Sequence, residues 1–151
     1  MNLFILRSAT SEDETQIHKL VRAAHINPTG LKWRRFVVAV TPADGVIGCG
    51  QIKPHRDGSH ELASIVVEPT WRGRGLARGI IAHLLASHEG PLYLMCRSVH
   101  GPLYEKFGFR VLEYAEMPKY FQRVSRLTSV IEILRKEGET LLVMARYTAR
   151  E

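Results

Sequence analysis

Three features of this 151-residue sequence predict a mixed α/β fold, a mainly antiparallel sheet flanked by helices. Apolar runs of strand length alternate with helical patterns in the order βαββ–βαβαβ–αβ, which contains a hairpin and so departs from strict parallel alternation. No repeat, linker or low-complexity stretch divides the chain, so residues 1–151 read as one domain. A hydrophobic content of 45% and a charged content of 24% are ordinary for a globular protein, and the length suffices for a sizeable core.

The elements follow in order. Leu3 to Leu6 is a short apolar strand. In the SATSEDE stretch after it, Thr10 or Ser11 can cap a helix, with Asp13 or Glu14 three residues on. Ile17, Leu20, Val21 and Ala24 share one face and give a helix over about 11–25, which Asn27-Pro28-Thr29-Gly30 breaks. Phe36 to Val40 and Val46 to Lys53 flank a Thr41–Gly45 turn and form a hairpin. His55 to Ser59 turns the chain into the apolar run Leu62 to Val67.

Beyond Glu68-Pro69, the residues Leu76, Ile80, Ile81, Leu84 and Leu85 mark a helix that stops near Glu89-Gly90-Pro91. Leu92 to Met95 is a buried strand, Pro102 to Phe107 a short helix ended by Gly108, and Phe109 to Leu112 a strand. Pro118 precedes a last helix with the stripe Tyr120, Val124, Leu127, Ile131 and Leu134. Gly138 closes it, and Leu141 to Ala145 is the final strand. That helix suits packing and a dimer face equally.

Composition narrows the function. A net charge of +6 favours anionic ligands such as a phosphorylated cofactor, an acidic substrate or nucleic acid. The arginines are scattered rather than gathered on one face, which weighs against nucleic acid. No apolar run approaches the roughly 18 residues of a membrane span, and the N-terminus lacks the pattern of a secretory signal. Cys49 and Cys96 sit inside apolar runs and read as buried reduced thiols, which points to the cytoplasm. Seven histidines include His55 and His60 beside Asp57, but no ligand set of metal-site spacing occurs, so no metal is expected.

The chemistry concentrates in ELASIVVEPTWRGRGLA, Glu61 to Ala77. An apolar strand meets a turn with two glycines and two arginines, and a helix opens at Leu76. A helix start presents unpaired N–H groups and partial positive charge, and glycines let the backbone approach an anion. The stretch suits a pyrophosphate. It is neither dinucleotide fingerprint nor P-loop: counting from Gly73 the sixth position is Arg78, and no Gly-Lys-Ser/Thr exists.

The pattern R/Q-x-x-G-x-G/A does fit, as Arg72, Gly75 and Ala77 behind Val67-Glu68-Pro69. About thirty residues on, Leu103-Tyr104-Glu105-Lys106-Phe107-Gly108-Phe109 matches Y-x-x-x-G-F. Together these resemble the GNAT superfamily of acetyl-CoA-dependent N-acyltransferases, and RSATSEDETQIHKL looks like its first strand and helix. The resemblance covers about residues 3–112. It implies the acyl-CoA N-acyltransferase fold, acetyl-CoA as co-substrate, and direct transfer to an amine, small molecule or protein.

In that reading the backbone of Ile65, Val66 and Val67 binds the pantetheine arm beside a splayed neighbouring strand. The N–H groups of Arg72, Gly73, Arg74, Gly75, Leu76 and Ala77 wrap the pyrophosphate. Tyr104 matches the family tyrosine suited to protonate the departing sulfur, and an N–H near Val66 serves the oxyanion. Glu61 occupies a place like that of the catalytic glutamate of the histone-acetylating branch. Glu61, His100 and water stay open as the base, with an exposed strand-end carboxylate as the plain alternative for Glu61; Glu68 reads as turn. The chain departs from the family where Arg97 and His100 replace the usual Asn and Ala. That departure keeps a non-catalytic CoA-binding module in view. Acceptor contacts fall to Asn27–Arg35 and Lys119–Glu137, neither of which names the amine.

Overall fold

The computed structural model describes residues 3–132 and 140–148. Strands β1 (Ile5–Ser8), β2 (Phe36–Thr41), β3 (Gly45–Pro54), β4 (His60–Val67), β5 (Leu92–Arg97), β6 (Arg110–Val111) and β7 (Leu141–Arg146) form a sheet in the order β1-β2-β3-β4-β5-β7-β6. The pairs β1–β2, β2–β3, β5–β7 and β6–β7 are antiparallel, and β4–β5 is parallel with Glu61 opposite Tyr93. Helices α1 (Glu14–Ala23), α2 (Leu76–Ala86), α3 (Gly101–Glu105) and α4 (Lys119–Glu132) accompany them. Packing divides the chain into two compact units, Met1–Lys53 with Leu62–His88, and Pro54–Glu61 with Glu89–Glu151.

In the first unit the period-two alternation of β2 and β3 gives each helix its own face of the sheet. Phe36, Val38 and Cys49 join Ile17 and Val21 of α1 and Val66 of β4 in one buried cluster. The opposite face meets α2 and is flattened by glycine. A Cβ on Gly50 would lie 2.6 Å from Ile65 Cδ1 and 2.7 Å from Ile80 Cγ2, so only glycine admits the helix at this distance. The first helix begins as its pattern indicates: the Thr10 N–H donates to Asp13 Oδ2 at 2.8 Å, and Arg7 grips both oxygens of Asp13. That grip, more than the opposing burial, holds the Asp13 carboxyl below its ordinary range.

The second unit has its own core of Leu112, Phe121, Val143 and Ala145, against which Tyr93, Met95, Met117 and Tyr120 pack. Here the structure corrects the stripe read on α4. Phe121, outside that stripe, is fully buried, whereas Leu127 is 65% exposed. Periodicity gives the width of an apolar face but not its phase, and the helix settles with the larger aromatic inward. The side chain of Ile131, and Leu134 and Gly138 altogether, lie outside the described residues.

Burial also sets a pH limit on stability. Desolvation pushes Cys49 from 9.0 up to about 12 and Cys96 from 9.0 to about 11. It likewise pushes Tyr93 and Tyr104 from 10.0 up to about 12. The folded chain holds these protons when the unfolded chain has released them, so the stability they carry is present below pH 9 and drains away as pH climbs toward 12. Melting curves between pH 7 and 11.5 are expected to show a falling Tm above about pH 9, and Cys96→Ala to flatten its first part.

Candidate functional site

The turn between β4 and α2 has a geometry suited to an anion. Glu68 caps a short 3₁₀ turn, Pro69–Trp71, by accepting the Thr70 N–H at 3.1 Å together with the Thr70 hydroxyl. Its carboxylate is thereby spent on the turn. Arg72 donates its N–H to the Pro69 carbonyl at 3.3 Å, which leaves its exposed guanidinium as the group it offers an anion. Gly73 and Gly75 then take φ of +79° and +84°, backbone that side chains rarely adopt. Apart from its immediate neighbours in the chain, neither has a heavy atom within 4 Å of where a Cβ would stand.

Gly75 is the N-cap of α2, with no side-chain cap and no acidic residue in the first turn. The helix therefore opens on N–H groups that its own side chains do not satisfy, at the positive end of an eleven-residue helix. Arg74 stacks 4.5 Å over the Trp71 ring, keeping a second cation at the rim. A diphosphate suits this set of helix-start N–H donors and two guanidinium groups.

Strand β4 leads into the turn through an irregular residue. Ser64 has φ of +58°, a conformation costing about 1–3 kcal/mol in a non-glycine residue. Two neighbours on β3 hold it: Gln51 Nε2 lies 2.9 Å from Ser64 Oγ, and Cys49 Sγ donates to the Ser64 carbonyl at 3.5 Å. Gln51 is wholly buried, and its Oε1 has no partner. Past Ser64, Val66 is core while Ile65 and Val67 are half-buried. The side chains of this run pack, so any contact it makes with a ligand falls to the main chain.

The second unit holds the candidate acid–base groups, Glu61 and Tyr104. Glu61 is 7% exposed rather than at an open strand end. His55 Nε2 lies 2.8 Å from its Oε1, and the His55 ring stacks on Tyr120 with centroids 3.6 Å apart. Asp57 accepts the Tyr120 N–H at 3.0 Å and both the N–H and the hydroxyl of Ser59. Burial pushes the Asp57 carboxyl up, but those donors and the nearby His55 together take it below its ordinary value.

Tyr104 sits on α3, where its carbonyl accepts the N–H groups of Phe107 (2.9 Å) and Phe109 (3.2 Å). Its ring meets Phe109 edge-on at 6.0 Å. Burial first, and Cys96 second, push its phenol up to about 12, so it keeps its proton at neutral pH. Arg97 closes β5 opposite Leu141, and His100 is exposed at the start of α3. Of the acceptor stretch Lys119–Glu137, residues 133–137 lie outside the described residues.

Sequence reasoning passed over two groups here. His55 was visible only as a possible metal ligand, and among the described residues no three metal-ligating side chains gather. Gln51 gave no signal beyond a polar residue within an apolar strand, a pattern that marks buried polar groups in general.

A mixed sheet whose fourth strand runs through a double-glycine turn into an uncapped helix frames the candidate site. The acetyltransferase (GNAT) domain model matches residues 32–111, more than half of the chain, and the chain belongs to that family. The fold resembles N-acetylglutamate synthase from Neisseria gonorrhoeae, solved with coenzyme A and N-acetyl-glutamate, at TM-score 0.76 and 18% identity. The alignment covers 99% of this chain but 36% of that one, so this chain spans about a third of that enzyme's length. The protein Rv2747 from Mycobacterium tuberculosis, solved with CoA, matches at TM-score 0.74 and 18% identity over 96% of this chain and 99% of its own. The ribosomal-protein-S18-alanine N-acetyltransferase from Escherichia coli matches at 0.68 and 19% identity over 98% and 96%. No curated protein matches the sequence significantly.

Proposed function

We propose that residues 1–151 act as a single catalytic domain that moves the acetyl group of acetyl-CoA directly to an amine within a ternary complex. The observation that carries this reading is the left-handed Gly73–Gly75 turn at the unshielded start of α2. The N–H groups from Gly73 to Ala77, with the guanidinium groups of Arg72 and Arg74, hold the pyrophosphate. The main chain of Ile65, Val66 and Val67 holds the pantetheine arm. Acetyl-CoA supplies the activated acyl group as a thioester. Glu61 takes the proton from the attacking amine, an N–H near Val66 faces the developing oxyanion, and Tyr104 returns a proton to the departing sulfur.

Structural neighbours solved with CoA support the co-substrate, and their N-acetyl-glutamate and protein-alanine chemistry supports an amine acceptor, free or on a protein. Among the described residues no helix is long and apolar enough to cross a membrane. Two unpaired cysteines support a reducing, cytoplasmic setting.

The test is acetyl-CoA turnover on a panel of amino acids, polyamines and N-terminal peptides, read by free thiol release and product mass. Glu61→Gln should lower turnover about 100-fold. An unchanged rate would transfer the role to His100 or water. A CoA-binding module without catalysis is the second reading, favoured by Arg97 where the family carries Asn. Tight CoA binding with no turnover on any amine would establish it.

A further inference from the structure

We propose that His55 is the positioning residue of Glu61: its Nε2–H holds one carboxylate oxygen and leaves the other to the acceptor amine. The proposal rests on the reading of Glu61 as the base. Its own support is the geometry of one buried cluster that lies within a single unit of the chain.

The His55 and Glu61 side chains are 7% and 9% exposed, and Nε2 to Oε1 is 2.8 Å. An ionised carboxylate only accepts hydrogen bonds, so in the form that can act as a base the proton of this bond belongs to Nε2. The imidazole plane is itself fixed. One face stacks on Tyr120 at 3.6 Å with the rings inclined by 16°, and Phe121 meets the ring at 85° from 5.8 Å. Tyr120 is tied back to the His55 turn through its N–H on Asp57. The turn closes on itself as well, with the His55 N–H on the Ser59 carbonyl at 2.9 Å.

A surface carboxylate swings among rotamers, whereas this one is held at Oε1 by a ring packed between Tyr120 and Phe121. Its Oε2 is then the oxygen with a set direction. In the chemical step the amine N–H bond breaks and an O–H bond forms at Oε2 while the nitrogen lone pair attacks the acetyl carbon. The carbonyl π pair moves to oxygen and then returns as the C–S bond breaks and the CoA thiolate leaves. The proton is given to solvent after product leaves. His55 neither gains nor loses a proton, so it acts through Glu61 and not on the substrate. Low surrounding polarity strengthens the Nε2–H to Oε1 bond and raises the penalty for breaking it.

Three variants and one spectrum test this. His55→Leu should lower kcat about 10- to 100-fold, the loss expected for a base misplaced by around an ångström, with KM for acetyl-CoA and amine within about twofold. His55→Gln, whose side-chain amide can donate to the same oxygen, should recover most of that loss. In the ligand-free protein, nitrogen-resolved NMR should show a downfield, slowly exchanging His55 Nε2–H that disappears in Glu61→Leu. Wild-type kcat in His55→Leu, alongside a turnover loss in Glu61→Gln, would overturn the role of His55 alone. Absence of the Nε2–H signal from the wild-type protein would do the same, and stands even if His55→Leu fails to fold. Full turnover in Glu61→Gln would instead remove the base itself.

Discussion

Gly75→Asp is expected to abolish CoA binding while the chain stays folded. The residue sits at φ +84°, ψ +9°, and apart from its immediate neighbours in the chain nothing lies within 4 Å of a Cβ placed there. The cost to folding is therefore local backbone strain of about 1–2 kcal/mol, at the lower end for aspartate, with no steric clash. Leu76, Ile80, Ile81 and Leu84 stay buried and keep α2 in place. The cost to binding is larger. A carboxylate at the N-cap takes the N–H donors that the pyrophosphate needs and adds like-charge repulsion.

A loss of at least about 100-fold in Kd, or about 2.7 kcal/mol, should appear by calorimetry with CoA. Gly75→Ala shares the strain without the charge and should lose much less. Unchanged affinity in Gly75→Asp would remove the pyrophosphate from this turn.

Tyr104→Phe is expected to lower kcat by about 10³-fold and leave CoA affinity unchanged. Phenylalanine keeps the edge-on contact with Phe109, so Tm should barely move. The phenol of Tyr104, pushed up to about 12, remains the protonated form throughout the neutral range. Its deprotonation therefore cannot produce a fall in activity below about pH 10, where the phenol is still intact. An alkaline limb below that pH belongs to another group and should persist, at lower rate, in the variant. Wild-type kcat in Tyr104→Phe would hand protonation of the sulfur to water.

Much of this was legible in advance where a local signal was enough. The strand, the paired glycines and the helix start are contiguous, and each has a short-range signature, so the turn at Gly73–Gly75 formed where its residues indicated. The same holds for the Thr10–Asp13 helix entry and for Gly108, which reaches φ +90° behind α3. Failures came where the partner is distant in sequence. The phase of α4 depends on a core assembled from β5, β7 and the helix together, so Phe121 was missed and Leu127 overestimated.

The stretch from Glu61 to Ala77 shows the same division. By itself the sequence determined that a double-glycine turn joins a strand to a helix start, because glycine conformation and helix-end donors are properties of a few consecutive residues. It also determined the family, through two motifs at the right separation. Only the tertiary structure decided the surroundings of Glu61, the proposed base. Glu61 is buried instead of open, and its oxygen is taken by an imidazole six residues earlier, which an aromatic ring from α4 holds flat. Burial and orientation are set by what packs from elsewhere in the chain, and no local pattern encodes them.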